Sequence, residues 1–188
     1  MSKELKLSKE EFVEFLMRWS AMHLSRKGVK NDAKLFDFTS DTPLESRKAK
    51  EMFGLRLSKE EELITLYEEL MPLNLWIVVF TCENKFSDAK QRNDCLDAFH
   101  RRFFDEFLID SVEDFGQWMR FMGVKYYEYG KAMKTGTGKD LMTLARLVQS
   151  NLHREAHQSA IMNFQITLYV GERMKALAKA LDQLNNTE

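Results

Sequence analysis

The chain holds 188 residues, 44% of them hydrophobic and 30% charged, with two prolines, eight glycines and a formal net charge of −1. So little Pro and Gly limits tight turns, which excludes collagen-like and Pro/Gly-rich disordered chains and argues against a many-turned β-sandwich or barrel. Near-neutral charge argues against a dedicated nucleic-acid binder, whose affinity rests on a basic excess.

Leu7-Ser8-Lys9-Glu10-Glu11 opens the first helix. Ser8 at the cap and Glu11 three residues on make a capping box, with Leu7 and Phe12 as its hydrophobic staple. Phe12, Phe15, Leu16, Trp19 and Met22 then recur at helical spacing, with His23 continuing that side, and Gly28 marks a stop. Residues 29–41 are polar around Leu35, Phe36 and Phe38 and read as a loop pinned by its aromatics. Thr42-Pro43-Leu44-Glu45 starts a short helix that ends near Gly54. Leu57-Ser58-Lys59-Glu60-Glu61 repeats the opening pentapeptide, but the sequences diverge at once afterwards, so the repeat reads as a reused cap.

Leu73 to Cys82 has strand-like composition without a partner strand, and an isolated strand would leave buried backbone groups unpaired. The segment is therefore expected to be a central helix, apolar nearly all round, beginning at Pro72. Ser87 or Asp88 caps the next helix, whose stripe is Leu96, Phe99, Phe103 and Phe107. Ser111 to Asp114 repeats the Ser-x-x-acid start and leads through Trp118 and Met122 to a stop at Gly123. Lys125 to Lys134 reads as a separate short helix, and Thr135-Gly136-Thr137-Gly138 as the clearest break. From Lys139 to about Leu184 the pattern predicts one long helix or a pair bent near 153–157. Leu141, Leu144, Ala145, Val148 and Leu152 mark one face, and Ile161, Phe164, Leu168 and Gly171 another. Gly130 and Gly171 fall inside helices and point to close helix contacts. The expected fold is all-α: a single-domain bundle of six to eight helices over 1–188, with room for an N-terminal subdomain, 1–71, packed on a C-terminal bundle, 72–188.

His153 and His157 stand four apart, so they share one helix face and can share a metal such as zinc, with His100 as the third ligand. This arrangement resembles the DinB-like metal-binding bundles, in which an HxxxH pair joins a third His from a neighbouring helix. HExxH and Glu-x-x-His patterns are absent. The competing reading is two His flanking a helix bend, with no cofactor at all. Gly136 to Asp140 fails the phosphate-loop pattern at Met133 and Asp140. Lys134 and Lys139 beside a helix start leave a weaker anion site. Tyr126 and Tyr127, with Lys131 nearby, offer either a core edge or an anion or partner contact. The basic Arg101-Arg102 followed by Asp105, Glu106 and Asp110 reads as a solvated face or a head-to-tail association polarity.

One further likeness is carried by FFDEFLID (103–110), MRFMGV (119–124) and YGKAMK (129–134). Their order is similar to the ubiquinol–cytochrome c chaperone family. That family's preceding segments have no counterpart here, and the assignment is not adopted.

No apolar run is long enough to span a bilayer, and the two cysteines lack CxxC spacing, as expected of a cytoplasmic chain that does not insert in membranes. Without a recognisable catalytic set, the expected function is a non-catalytic helical adaptor or assembly protein. It would work through an apolar, aromatic surface, with a protein partner and self-association into a homo-oligomer. The alternative is a metal-dependent bundle enzyme using His153, His157 and His100.

Overall fold

The Ser8 capping box forms as its sequence requires. The Glu11 N–H donates to Ser8 Oγ at 3.2 Å and the Ser8 N–H donates to Glu11 Oε2 at 3.1 Å, while Leu7 and Phe12 both join the same apolar cluster. In the computed structural model, which describes residues 6–24, 60–108, 114–134, 138–152 and 159–185, this box starts α1 (Lys9–Leu24). Five further helices follow: α2 (Glu60–Lys85), α3 (Ala89–Phe107), α4 (Phe115–Ala132), α5 (Gly138–Leu152) and α6 (Ala160–Leu184). No strand occurs among the described elements, and no described helix is long and apolar enough to cross a membrane.

The apolar segment 73–82 is helical and central, because α2 touches each of the other five helices. Its all-round hydrophobicity has a physical reason: two faces feed two separate clusters. Met71, Leu75, Val78 and Cys82 pack with Phe12 and Leu16 of α1 and with Phe99 and Phe103 of α3. Leu73, Trp76 and Ile77 pack with Tyr129 of α4, Leu144 and Val148 of α5, and Ile166 and Val170 of α6. Burying each such side chain fully is worth about 1.5–3 kcal/mol. Pro72 does not begin this helix. It lies in the middle of α2, which starts twelve residues earlier at Glu60. Proline removes the N–H that would bond the Glu68 carbonyl and sets its ring against that same carbonyl, yet the helix runs on through it with buried residues on both sides.

Other boundaries shift for equally local reasons. Of Ser87 and Asp88 it is Asp88 that caps α3, accepting from the Gln91 N–H. Asp114 itself, not Ser111, caps α4 by accepting from the Gln117 N–H at 2.9 Å. Gly123 does not stop α4, and 125–134 is no separate helix. Trp118, Met122, Tyr126 and Tyr129 continue one core-facing stripe straight through it. Of the two arrangements expected for 139–184, the unbroken helix does not form and the pair of helices does. α5 ends at Leu152, and Ser159, with extended backbone, caps α6 by accepting from the Met162 N–H. The predicted stops at Gly28 and Gly54, the cap at Ser58, the short helix after Pro43 and the loop 29–41 lie outside the described residues.

The expected close contact at Gly130 is absent, since a Cβ there would meet nothing within 4 Å; at Gly171 it would meet Leu141 Cδ1 at an ordinary 3.7 Å. At the far ends of the described chain, the Lys6 N–H donates to Asn185 Oδ1 at 2.9 Å, beside the C-terminal end of α6.

Candidate functional site

Where α2, α4 and α5 meet, the chain buries a carboxylate. Glu69 is 2% exposed, a position that costs heavily unless the charge is paired and every oxygen accepts a hydrogen bond. It meets both conditions. Oε1 accepts from the Tyr129 hydroxyl at 2.9 Å and from Asn151 Nδ2 at 3.0 Å. Oε2 accepts from the Lys125 ammonium and from Asn151 Nδ2 at 3.1 Å. Burial still pushes the carboxyl above its ordinary range, against the pull of Lys125, Asn151 and Tyr129. Lys125 and Tyr129 reach it together because they stand four apart on α4. Each carboxylate oxygen carries two donors, so Glu69 ties three helices together and leaves little acceptor capacity for a substrate.

One residue along α4, the half-buried Tyr126 pairs with the buried His100. His100 of α3 places Nδ1 2.7 Å from the Leu96 carbonyl and Nε2 2.8 Å from the Tyr126 hydroxyl. A carbonyl only accepts, so Nδ1 carries the hydrogen and Nε2 accepts from Tyr126. Burial holds the imidazole below its usual pKa and the Tyr126 phenol well above its own, which keeps both neutral. The ring also packs against Phe99 and Trp118.

These contacts locate the residues singled out in the sequence. His100 is buried with both ring nitrogens engaged, so ligating a metal would require displacing Tyr126. His153 and His157 lie outside the described residues, as does the side chain of His23. Among the described residues no group of three or more His, Cys, Asp or Glu is placed to hold a metal. Tyr126 faces the core, whereas Tyr127 is exposed along with Lys131, Lys134 and Lys139. The basic run on α3 is used within the chain: Arg102 pairs with Glu14 of α1 and Glu106, and the Arg101 guanidinium lies 3.7 Å over the Phe115 ring.

The largest departure from the sequence pattern is on α6. Its core face is Asn163, Ile166, Val170, Leu177 and Leu181, and the stripe expected to be a second packing face points outward. Ile161 is 72% exposed, Phe164 61% and Leu168 45%. α6 is apolar on two sides, and the side against which α2 and α5 pack is the one in the core. Residues 158–171 include no Asp, Glu, Lys or Arg, although 30% of the chain is charged. Beyond them the same outward side carries Glu172, Lys175 and Lys179, all exposed.

Glu69 and Asn151 were not singled out in the sequence, because no local pattern distinguishes a buried Glu from the many exposed ones. The only available signal was helical register: Lys125 and Tyr129 share a side of α4 with the core residues Trp118 and Met122. Comparison with protein-family models, curated proteins and solved structures finds no match to this chain.

Proposed function

We propose that this chain is a non-catalytic helical adaptor or assembly protein of the cytoplasm, whose working surface is the outward apolar stripe of α6. The observation that carries the reading is the exposure of Ile161, Phe164 and Leu168 on one helix side within an uncharged stretch. Large apolar side chains grouped on a surface mark contact sites, since a partner that covers them removes them from water. The polar groups inside the bundle support the same reading. Glu69 and His100, the buried groups best suited to acid–base work, spend their hydrogen bonds on holding helices together. Cys82 and Cys95 are both free thiols, which suits a reducing compartment.

The test compares wild type with Phe164→Asp in unfractionated extract of the cells that make the protein. Phe164 is exposed, so the variant should keep its helical circular dichroism. On size-exclusion chromatography, wild type should elute well above its 22.2 kDa chain mass and the variant at the monomer position. Wild type eluting as a monomer would overturn the reading.

A further inference from the structure

We infer that the α6 stripe and the neighbouring turns of α5 form a groove for an extended, acidic segment of a partner protein, whose backbone the Gln149 side-chain amide holds. The inference rests on the assembly reading above and adds the chemistry of the partner. Leu141 lies beside Gly171, where a Cβ would meet Leu141 Cδ1 at 3.7 Å. Leu141 stands eleven residues before the end of α5, and Gly171 eleven after the start of α6, so the two helices run antiparallel at matched levels. Eight residues nearer that shared end, Gln149 comes level with Asn163, next to the exposed Phe164. Gln149 also stands seven residues after the exposed Met142, on the same side of α5. Exposed apolar groups of both helices therefore flank the position of Gln149.

Gln149 is 1% exposed, and among the described residues neither its Nε2 nor its Oε1 has a hydrogen-bond partner; the buried Asn163 Oδ1 has none either. Native proteins seldom leave buried polar atoms so, because each has given up its bonds to water. One free donor and one free acceptor on the same amide match the N–H and C=O of one residue in an extended peptide. A partner helix could not supply them, since its backbone groups already bond one another. Gln is unbranched, and rotation about its side-chain bonds carries the amide outward between Met142 and Phe164.

Charge sets the composition of the segment. The exposed cations of α5 and α6 are Lys139, Arg146, Lys175 and Lys179, and among the described residues none of them is held in an ion pair. Glu172 is the only exposed acid of the two helices. Lys139 and Arg146 stand one turn to either side of Met142, and Lys175 follows Leu168 by two turns. An acidic segment with apolar side chains complements both the rim and the stripe. A second copy of this face would instead bring one cationic rim against another, which opposes association.

Purified full-length protein tests this by selection from a random peptide display library, with affinities of the enriched peptides read by fluorescence anisotropy. The enriched peptides should carry an excess of Asp and Glu around apolar residues. Gln149→Leu should melt at a higher temperature than wild type, because it removes two buried polar atoms without partners. It should also bind the same peptides about tenfold more weakly, and Phe164→Asp should not bind them. Methylating successive backbone nitrogens of a peptide should find one position that weakens binding to wild type about tenfold and to Gln149→Leu hardly at all. A library that yields no binder, or binders without an acidic excess, overturns the inference. So do binders that hold Gln149→Leu as tightly as wild type, the result expected if Gln149 meets only water. Purified wild type that dimerises, with the dimer lost in Gln149→Leu, makes a second copy the occupant and overturns it as well. If extract then still shows a large complex that Phe164→Asp lacks, the assembly reading survives and only the partner chemistry falls.

Discussion

The Tyr129 hydroxyl donates to Glu69 Oε1 at 2.9 Å, joining α4 to α2 three residues before the proline in the middle of that helix. Lys125, one turn before Tyr129, supplies the positive charge that makes this buried carboxylate tolerable.

Removing that charge alone should therefore be costly. Lys125→Met leaves Glu69 buried without its counter-ion, an error worth about 3–5 kcal/mol. The double variant Glu69→Leu/Lys125→Met removes both charges and should recover much of the loss. Urea unfolding of the two single variants and the double variant measures the cycle; additive losses would show that the pair does not act as a unit.

The pH response of Glu69 has a defined sign. Burial raises its carboxyl above the ordinary 4.5, so over that window the folded state holds a proton the unfolded state has released. Stability then falls as pH rises through the folded pKa. Relative to Glu69→Gln, wild type should be at its best below pH 4.5 and lose ground as pH climbs. Melting curves of both proteins across the acid range check this, and a wild-type advantage that grew with pH would contradict it.

His100 acts in the opposite direction. Its pKa is held below 6.5 by burial, so the unfolded chain takes up the proton first as pH falls. The stability it contributes is present above 6.5 and is lost as pH drops through the folded pKa. Tyr126→Phe removes the hydroxyl that satisfies Nε2 and should cost about 1–3 kcal/mol at pH 8. Nitrogen NMR of the imidazole should show a neutral ring with the hydrogen on Nδ1; a charged ring at pH 7 would refute the assignment.

Gly123 and Gly130 lie within α4, both exposed, and a Cβ at either meets nothing within 4 Å. Replacing each by Ala should stabilise the protein by about 1 kcal/mol through helix propensity alone. Thermal melts of Gly123→Ala, Gly130→Ala and the double variant read the effect. A loss in either would reveal a requirement for glycine there.

Periodicity made the helical fold, the first cap and the central position of 73–82 legible, because these depend on neighbours a few residues away. It could not decide which of two apolar sides of α6 enters the core. Ile161, Phe164 and Leu168 match a helical stripe as well as Ile166 and Val170 do, and only the packing of α2 and α5 against α6 chooses between them. Pro72 misled for a related reason: a lone proline marks a helix start only if the helix has not begun already. The Glu69 cluster was hidden because its members come from positions 69, 125, 129 and 151. His100 was visible as a residue, but its partner Tyr126 lies 26 positions away.

The hydrogen bond from Lys6 to Asn185 spans 179 positions and so bears on the order in which the chain assembles. Closing so long a loop costs chain entropy that must be offset by contacts already made. The α5–α6 pair, adjacent in sequence, can form from local encounters, whereas the join between the segment before α1 and the end of α6 must wait for the bundle between them. This join belongs to the late side of the folding barrier. Weakening it should hasten unfolding while leaving the folding rate nearly unchanged.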